Sequence, residues 1–164
     1  MHTSPTLGAA MPARLLAEYR EWLISDQRDL EIQDAVYPGV LDGDLQPLVR
    51  QVRDVLDGYT GRMGIHGPFL SLDLLGYDPK IRSVVVERYR QALHLAAEIG
   101  ASHMVIHSPF IFFGSPFLAH APSAGLQDQI AQIQATLEEI VPFAEQARCT
   151  LMIENIQDTN PAPL

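Results

Sequence analysis

Asp78-Pro-Lys-Ile-Arg-Ser-Val-Val-Val-Glu-Arg-Tyr-Arg-Gln-Ala-Leu-His-Leu-Ala-Ala-Glu-Ile-Gly100, followed at once by Ala101-Ser-His-Met-Val-Ile-His107, is the stretch that decides the fold. Ile81, Val85, Tyr89, Ala92, Ala96 and Ile99 recur at three- and four-residue spacings. That period predicts an amphipathic helix from about Ile81 to Ile99. Asp78-Pro79 fits its start and Gly100 its stop. Ala101–His107 is short, apolar and β-rich towards its end. A strand covered on both faces reads that way.

The same helix-then-strand unit recurs on either side. Ile130, Ile133, Leu137, Ile140 and Ala144 form one stripe of a helix predicted over Leu126–Ala147, and Thr150–Glu154 follows as an apolar strand. Upstream, Leu45, Leu48, Val52 and Leu56 mark a helix ending near Gly58, which leads into a strand over Arg62–His66. Arg14–Ile24 is predicted helical and Asp29–Gln33 a strand, with a first strand near Pro5–Ala10. Strands alternating with helices imply a parallel sheet with helices outside it.

Two architectures compete. A doubly wound sheet would usually show a glycine-rich phosphate turn, and neither G-x-G-x-x-G nor a P-loop pattern is present. A (β/α)8 barrel uses about 31 residues per unit, so this chain of 164 residues holds about five. The expectation is an α/β fold: a TIM barrel, one domain over residues 1–164, truncated after strand five. Asn160 as N-cap and Pro161 at the first helical position would announce the next helix.

Composition narrows the function classes. No apolar run approaches the roughly 20 residues of a membrane helix. The first ten residues lack a secretory pattern, which predicts the cytoplasm. One cysteine, Cys149, excludes an internal disulfide framework and a thiolate metal cluster. Eleven Lys and Arg against 20 Asp and Glu give a net charge of -9, so nucleic-acid binding is disfavoured. The single lysine, Lys80, lies in a loop entering a helix, a poor place for Schiff-base chemistry.

Three predicted strands end on a residue that can bind metal or move protons: Ile65-His66, Ile106-His107 and Ile153-Glu154. Each pair of neighbours is separated by one strand-helix unit, 41 residues from His66 to His107 and 47 from His107 to Glu154. In a parallel barrel the three converge on the C-terminal face, where active sites sit. Two imidazoles and a carboxylate suit a divalent metal ion. Glu31, near the top of the second strand, is a candidate polar wall of the pocket and substrate contact. Phe110 and Phe112, in the aromatic loop after His107, are further candidate substrate contacts. His94 falls off its helix stripe, His103 opens its strand at the opposite end from His107, His120 lies in a loop and His2 is terminal.

Ile65-His66-Gly67-Pro68-Phe69, Asp78-Pro79, Ala97-Glu98-Ile99-Gly100-Ala101, Val105-Ile106-His107-Ser108-Pro109 and Met152-Ile153-Glu154-Asn155 together resemble the xylose isomerase-like barrel superfamily over about residues 29–157. That superfamily holds sugar (phosphate) isomerases and epimerases and the zinc-dependent apurinic/apyrimidinic endonucleases. The resemblance implies a divalent metal at the barrel top, Mn, Zn, Co or Mg. It gives Glu154, with His66 and His107, as metal-binding residues. Glu154 and His107 are the implied catalytic residues, and His66 also contacts substrate. The implied activity is sugar (phosphate) isomerisation or epimerisation by metal-assisted proton transfer next to a carbonyl. An endonuclease-like phosphodiesterase is the alternative. His107 is followed by Ser-Pro where the endonuclease branch has Pro-Gly, and Glu154-Asn155 continues with Ile156. A third reading is an inactive barrel fragment acting only by association, with itself or another chain.

Overall fold

The computed structural model describes residues 6–108 and 123–156, with side chains throughout except at 123–126. In chain order the elements are β1 (Gly8–Met11), α1 (Leu16–Ser25), β2 (Asp29–Ile32), α2 (Pro38–Leu41), α3 (Gln46–Val55), β3 (Met63–His66), α4 (Pro79–Ile99), β4 (His103–His107), α5 (Ser123–Ala147) and β5 (Thr150–Glu154). The five strands form one sheet in the order β1-β2-β3-β4-β5, and every neighbouring pair is parallel. Successive parallel neighbours with helices between them are the arrangement of a (β/α) barrel wall.

The elements form for local reasons. The Asp78 carboxylate accepts the Lys80 backbone N–H at 2.8 Å, and Pro79 opens the first turn of α4. Gly100 ends the helix at φ 77°, a left-handed conformation that a side chain would strain. Between these caps Val85, Tyr89, Ala92, Leu93, Ala96 and Ile99 are buried. Ile81, expected on the same stripe, is 54% exposed. Periodicity reports which way a side chain points but not where the neighbouring core stops, and burial on α4 begins only at Val85. Along α5, Ile133, Ile140 and Ala144 are buried, and Arg82 of α4 reaches Glu139 of α5 at 3.3 Å.

Two features differ from the sequence reading. A 3-10 turn over Asp34–Val36 and the short helix α2 follow β2, where no element was expected. A four-residue helix carries too little period to register, and its Pro38-Gly39 start reads as a turn. The first strand runs Gly8–Met11 rather than Pro5–Ala10. Asn160 and Pro161 lie outside the described residues.

The sheet has two unlike faces. Leu30, Ile32, Ile65, Met104 and Ile106 alternate along their strands towards the helices and are buried. The residues between them share the other face: Glu31 beside Gly64 and His103, then His66 beside Val105 and Met152, then His107 beside Glu154. Polar chemistry is thus concentrated on the inner face, towards the C-terminal ends of the strands.

The helix layer is stabilised by apolar burial. Leu93, on α4 and 1% exposed, is packed from all sides. Leu93→Ala is expected to cost about 2–5 kcal/mol through lost transfer energy and an unfilled cavity. Urea unfolding would register this as a lower midpoint with an unchanged slope.

Candidate metal centre

His66, His107 and Glu154 are the last residues of β3, β4 and β5. Two backbone bonds extend the ladder beyond the strands and hold these ends in register. The Gly67 N–H donates to the Val105 carbonyl at 2.7 Å, and the Ser108 N–H donates to the Glu154 carbonyl at 2.8 Å. The outcome is a cluster in which one donor atom from each of His66, His107 and Glu154 lies within 4.8 Å of the others.

The orientation of the His66 ring follows from one hydrogen bond. Its Nδ1 lies 2.8 Å from the Gly67 carbonyl oxygen. A carbonyl only accepts, so Nδ1 carries a proton, and in the neutral ring Nε2 presents a lone pair. That Nε2 faces Oε2 of Glu154 at 3.7 Å, and Nε2 of His107 faces the same oxygen at 3.9 Å. These separations are too long for hydrogen bonds. With metal–ligand bonds of about 2.0–2.2 Å, donors on one ion stand roughly 3–3.5 Å apart. Small side-chain rotations would close the set, so the donors present fit a divalent cation.

Electrostatics favours donors over cations here. Burial holds the His107 imidazole below its ordinary pKa of 6.5; nearby His66 adds to this and Glu154 opposes it. His107 is therefore neutral near pH 7. Burial also pushes the Glu31 carboxyl up, with His66 opposing and Glu154 reinforcing. Glu31 is half-buried and stands beside the cluster without belonging to it.

The lowered His107 pKa has a consequence for stability. Below pH 6.5 the unfolded chain takes up a proton at His107 that the folded chain resists. The stability that His107 contributes is thus lost as the pH falls from about 6.5 towards its folded pKa. Metal-free wild type and His107→Gln, compared by urea midpoints from about pH 7.5 to 5, should converge or cross in that direction. A pH-independent difference would count against a depressed His107.

Gly67 is required by close approach. A Cβ there would lie 2.9 Å from the Val105 carbonyl oxygen and 3.3 Å from the Met104 side chain. Gly67→Ala is expected to cost about 1–3 kcal/mol, the range for overpacking a tight site. It should also loosen the cluster, because it pushes β3 from the strand that carries His107. Thermal unfolding and zinc titration of the same variant would report both effects.

The sequence reading omitted one site residue, Phe69. Its ring stacks on His107 with centroids 4.2 Å apart at 27°, and meets His66 at 5.0 Å and 58°. The two imidazoles meet edge-on at 5.0 Å and 84°. The signal was present in His66-Gly67-Pro68-Phe69, but a residue three past a strand end carries no register to place it. Phe110, Phe112, His2 and His120 lie outside the described residues. His94 is exposed on α4, and His103 opens β4, away from the cluster.

This combination, a parallel (β/α) wall with imidazoles and a carboxylate at its strand ends, defines a class of barrel. A sequence profile of xylose isomerase-like TIM barrels matches residues 29–163. The chain belongs to that family. No curated protein matches it significantly. Among solved structures, the TTHB071 protein of Thermus thermophilus, from a crystal soaked with ZnCl2, superposes with TM-score 0.74 at 25% identity, covering 98% of this chain and 60% of that one. A D-tagatose 3-epimerase-like protein gives TM-score 0.64 at 21% identity, covering 95% and 55%. A sugar phosphate isomerase/epimerase assigned in Anabaena variabilis ATCC 29413 gives 0.65 at 16%, covering 92% and 54%. The chain thus spans between half and two thirds of the length of these relatives. Among the described residues no helix is long and apolar enough to cross a membrane.

Proposed function

We propose that this site holds a divalent metal ion and serves a sugar or sugar-phosphate isomerase or epimerase. The observation that carries the reading is the convergence of Nε2 of His66, Nε2 of His107 and the Glu154 carboxylate at three adjacent strand ends. The sugar epimerases and isomerases among its structural neighbours support the substrate class. The zinc-soaked neighbour supports the metal.

A metal bound here would polarise the substrate carbonyl and so acidify the neighbouring C–H. The protein residues supply the rest. His66, with its tautomer set by Gly67, and His107, neutral near pH 7, offer Nε2 lone pairs. Glu154 supplies the negative charge. In this reading one Oε of Glu154 is free to take the C–H proton and return it, which is general acid-base work. Glu31 would accept hydrogen bonds from substrate hydroxyls beside His66. The net charge of -9 favours small substrates over a phosphodiester backbone.

The test is deuterium wash-in. The full-length natural protein, loaded in turn with zinc, manganese, cobalt or magnesium, is incubated with ketoses and ketose phosphates in heavy water. Incorporation at the carbon next to the carbonyl, followed by NMR, is the expected result. Cleavage of an abasic-site DNA with no exchange into any sugar would replace this reading with the endonuclease one.

A further inference from the structure

We propose that Phe69 is a positioning residue that holds the plane of the His107 imidazole, so that the ring edge carrying Nε2 stays turned towards Glu154. The proposal rests on the metal-centre reading for its purpose but not for its geometry.

The two imidazoles are held differently. His66 is fixed from its own strand end, by the hydrogen bond from Nδ1 to the Gly67 carbonyl. His107 makes no hydrogen bond through its ring among the described residues. The last torsion of a histidine side chain is broad and roughly two-fold. A swing about it would turn the ring edge that carries Nε2 away from Glu154 and take the lone pair out of the cluster. What opposes this rotation is the face of Phe69, stacked on His107 at 4.2 Å and 27°. The edge-on contact with His66 closes the second side at 5.0 Å and 84°. The three rings form a closed triangle, each touching the other two.

Phe69 can act in this way because its backbone is itself constrained. Gly67 is tied to Val105 of β4, the strand that carries His107. Pro68 is buried and fixes its own φ. The Phe69 carbonyl accepts the Leu72 N–H at 3.2 Å in a turn where Ser71 adopts φ 57°. The segment His66-Gly67-Pro68-Phe69 is therefore a bracket. It leaves β3 with one metal donor and returns across the inner face to brace the donor on the next strand. Stacking of this kind holds the plane of the His107 ring and resists its swing out of the cluster.

The experiment uses the full-length natural protein with histidine-selective isotope labelling, as wild type, Phe69→Leu and Phe69→Tyr. Without metal, the His107 ring protons of wild type are expected upfield of those of exposed His94, because they lie over an aromatic face. Phe69→Leu should remove that displacement and Phe69→Tyr should keep it. With zinc, calorimetry should show affinity falling about tenfold in Phe69→Leu, the lower end for supports of a metal ligand, and recovering in Phe69→Tyr. Wild-type His107 shifts equal to those of His94 would overturn the proposal, as would equal zinc affinity in wild type and Phe69→Leu. If wild type binds no zinc, the metal reading fails, and the ring shifts still decide the role of Phe69. If Phe69→Leu does not fold, the wild-type shifts and a nuclear Overhauser contact between the Phe69 and His107 rings decide it.

Discussion

Glu154→Gln is expected to strip the site of its metal and to abolish turnover in the full-length protein. The substitution keeps the shape of the side chain and removes its charge. Glu154 supplies the only carboxylate of the cluster, and the other two donors are imidazole nitrogens. Without the carboxylate, a divalent cation would face two nitrogens and a weakly basic amide. Loss of a positioned proton-transfer group alone lowers rate by roughly 10²–10⁴-fold, and loss of metal compounds it. The fold should survive, because the Glu154 side chain is 48% exposed and its structural bond runs from the backbone carbonyl to the Ser108 N–H. Glu139→Gln is the control. It removes an equal charge from a pair on the helix layer with Arg82, and such surface pairs contribute little. Metal content by mass spectrometry and activity on the same preparations would check the prediction. If Glu154→Gln retained both metal and turnover, Glu154 would be neither metal ligand nor proton carrier.

The strand ends were legible in the sequence because two periods agreed. The apolar repeat of α4 and the apolar run of β4 fix their join at Gly100-Ala101, and the next polar residue after that run is His107. The same logic places His66 and Glu154, and parallel topology does the rest by bringing equivalent ends to one edge. What period and register do not encode was missed. The α2 turn has too few residues to show a repeat. Ile81 has the right phase but sits beyond the core that α4 covers. Phe69 lies beyond the end of β3, and no spacing rule announces that its ring lies against imidazoles on two neighbouring strands. Glu31 lies on the inner face of β2, and only the three-dimensional arrangement shows it as a neighbour of the cluster.

The polypeptide of residues 1–164, expressed by itself, is expected to self-associate. Its sheet ends at β1 on one side and β5 on the other, and among the described residues neither outer edge is paired. An unpaired edge offers a row of N–H and C=O groups that template pairing with another chain. The β5 edge is also apolar: Met152 is 43% exposed and Ile153 is 44% exposed, with Ile156 just beyond at 42%. Met152 and Ile153 point to opposite faces, so both sides of this edge present apolar surface. The net charge of -9 opposes close approach of copies, and salt near physiological strength screens that repulsion beyond about 8 Å. Edge pairing acts at shorter range, so association should strengthen as salt is added. Light scattering and sedimentation across a salt series would show it. Ile153→Lys places a charge on the edge, a common device against edge pairing, and should shift the population towards monomer. A monodisperse wild-type monomer at all salt concentrations would show that the β5 edge is protected. If the same polypeptide also turned over sugars, the site would need no donors beyond those carried by β3, β4 and β5.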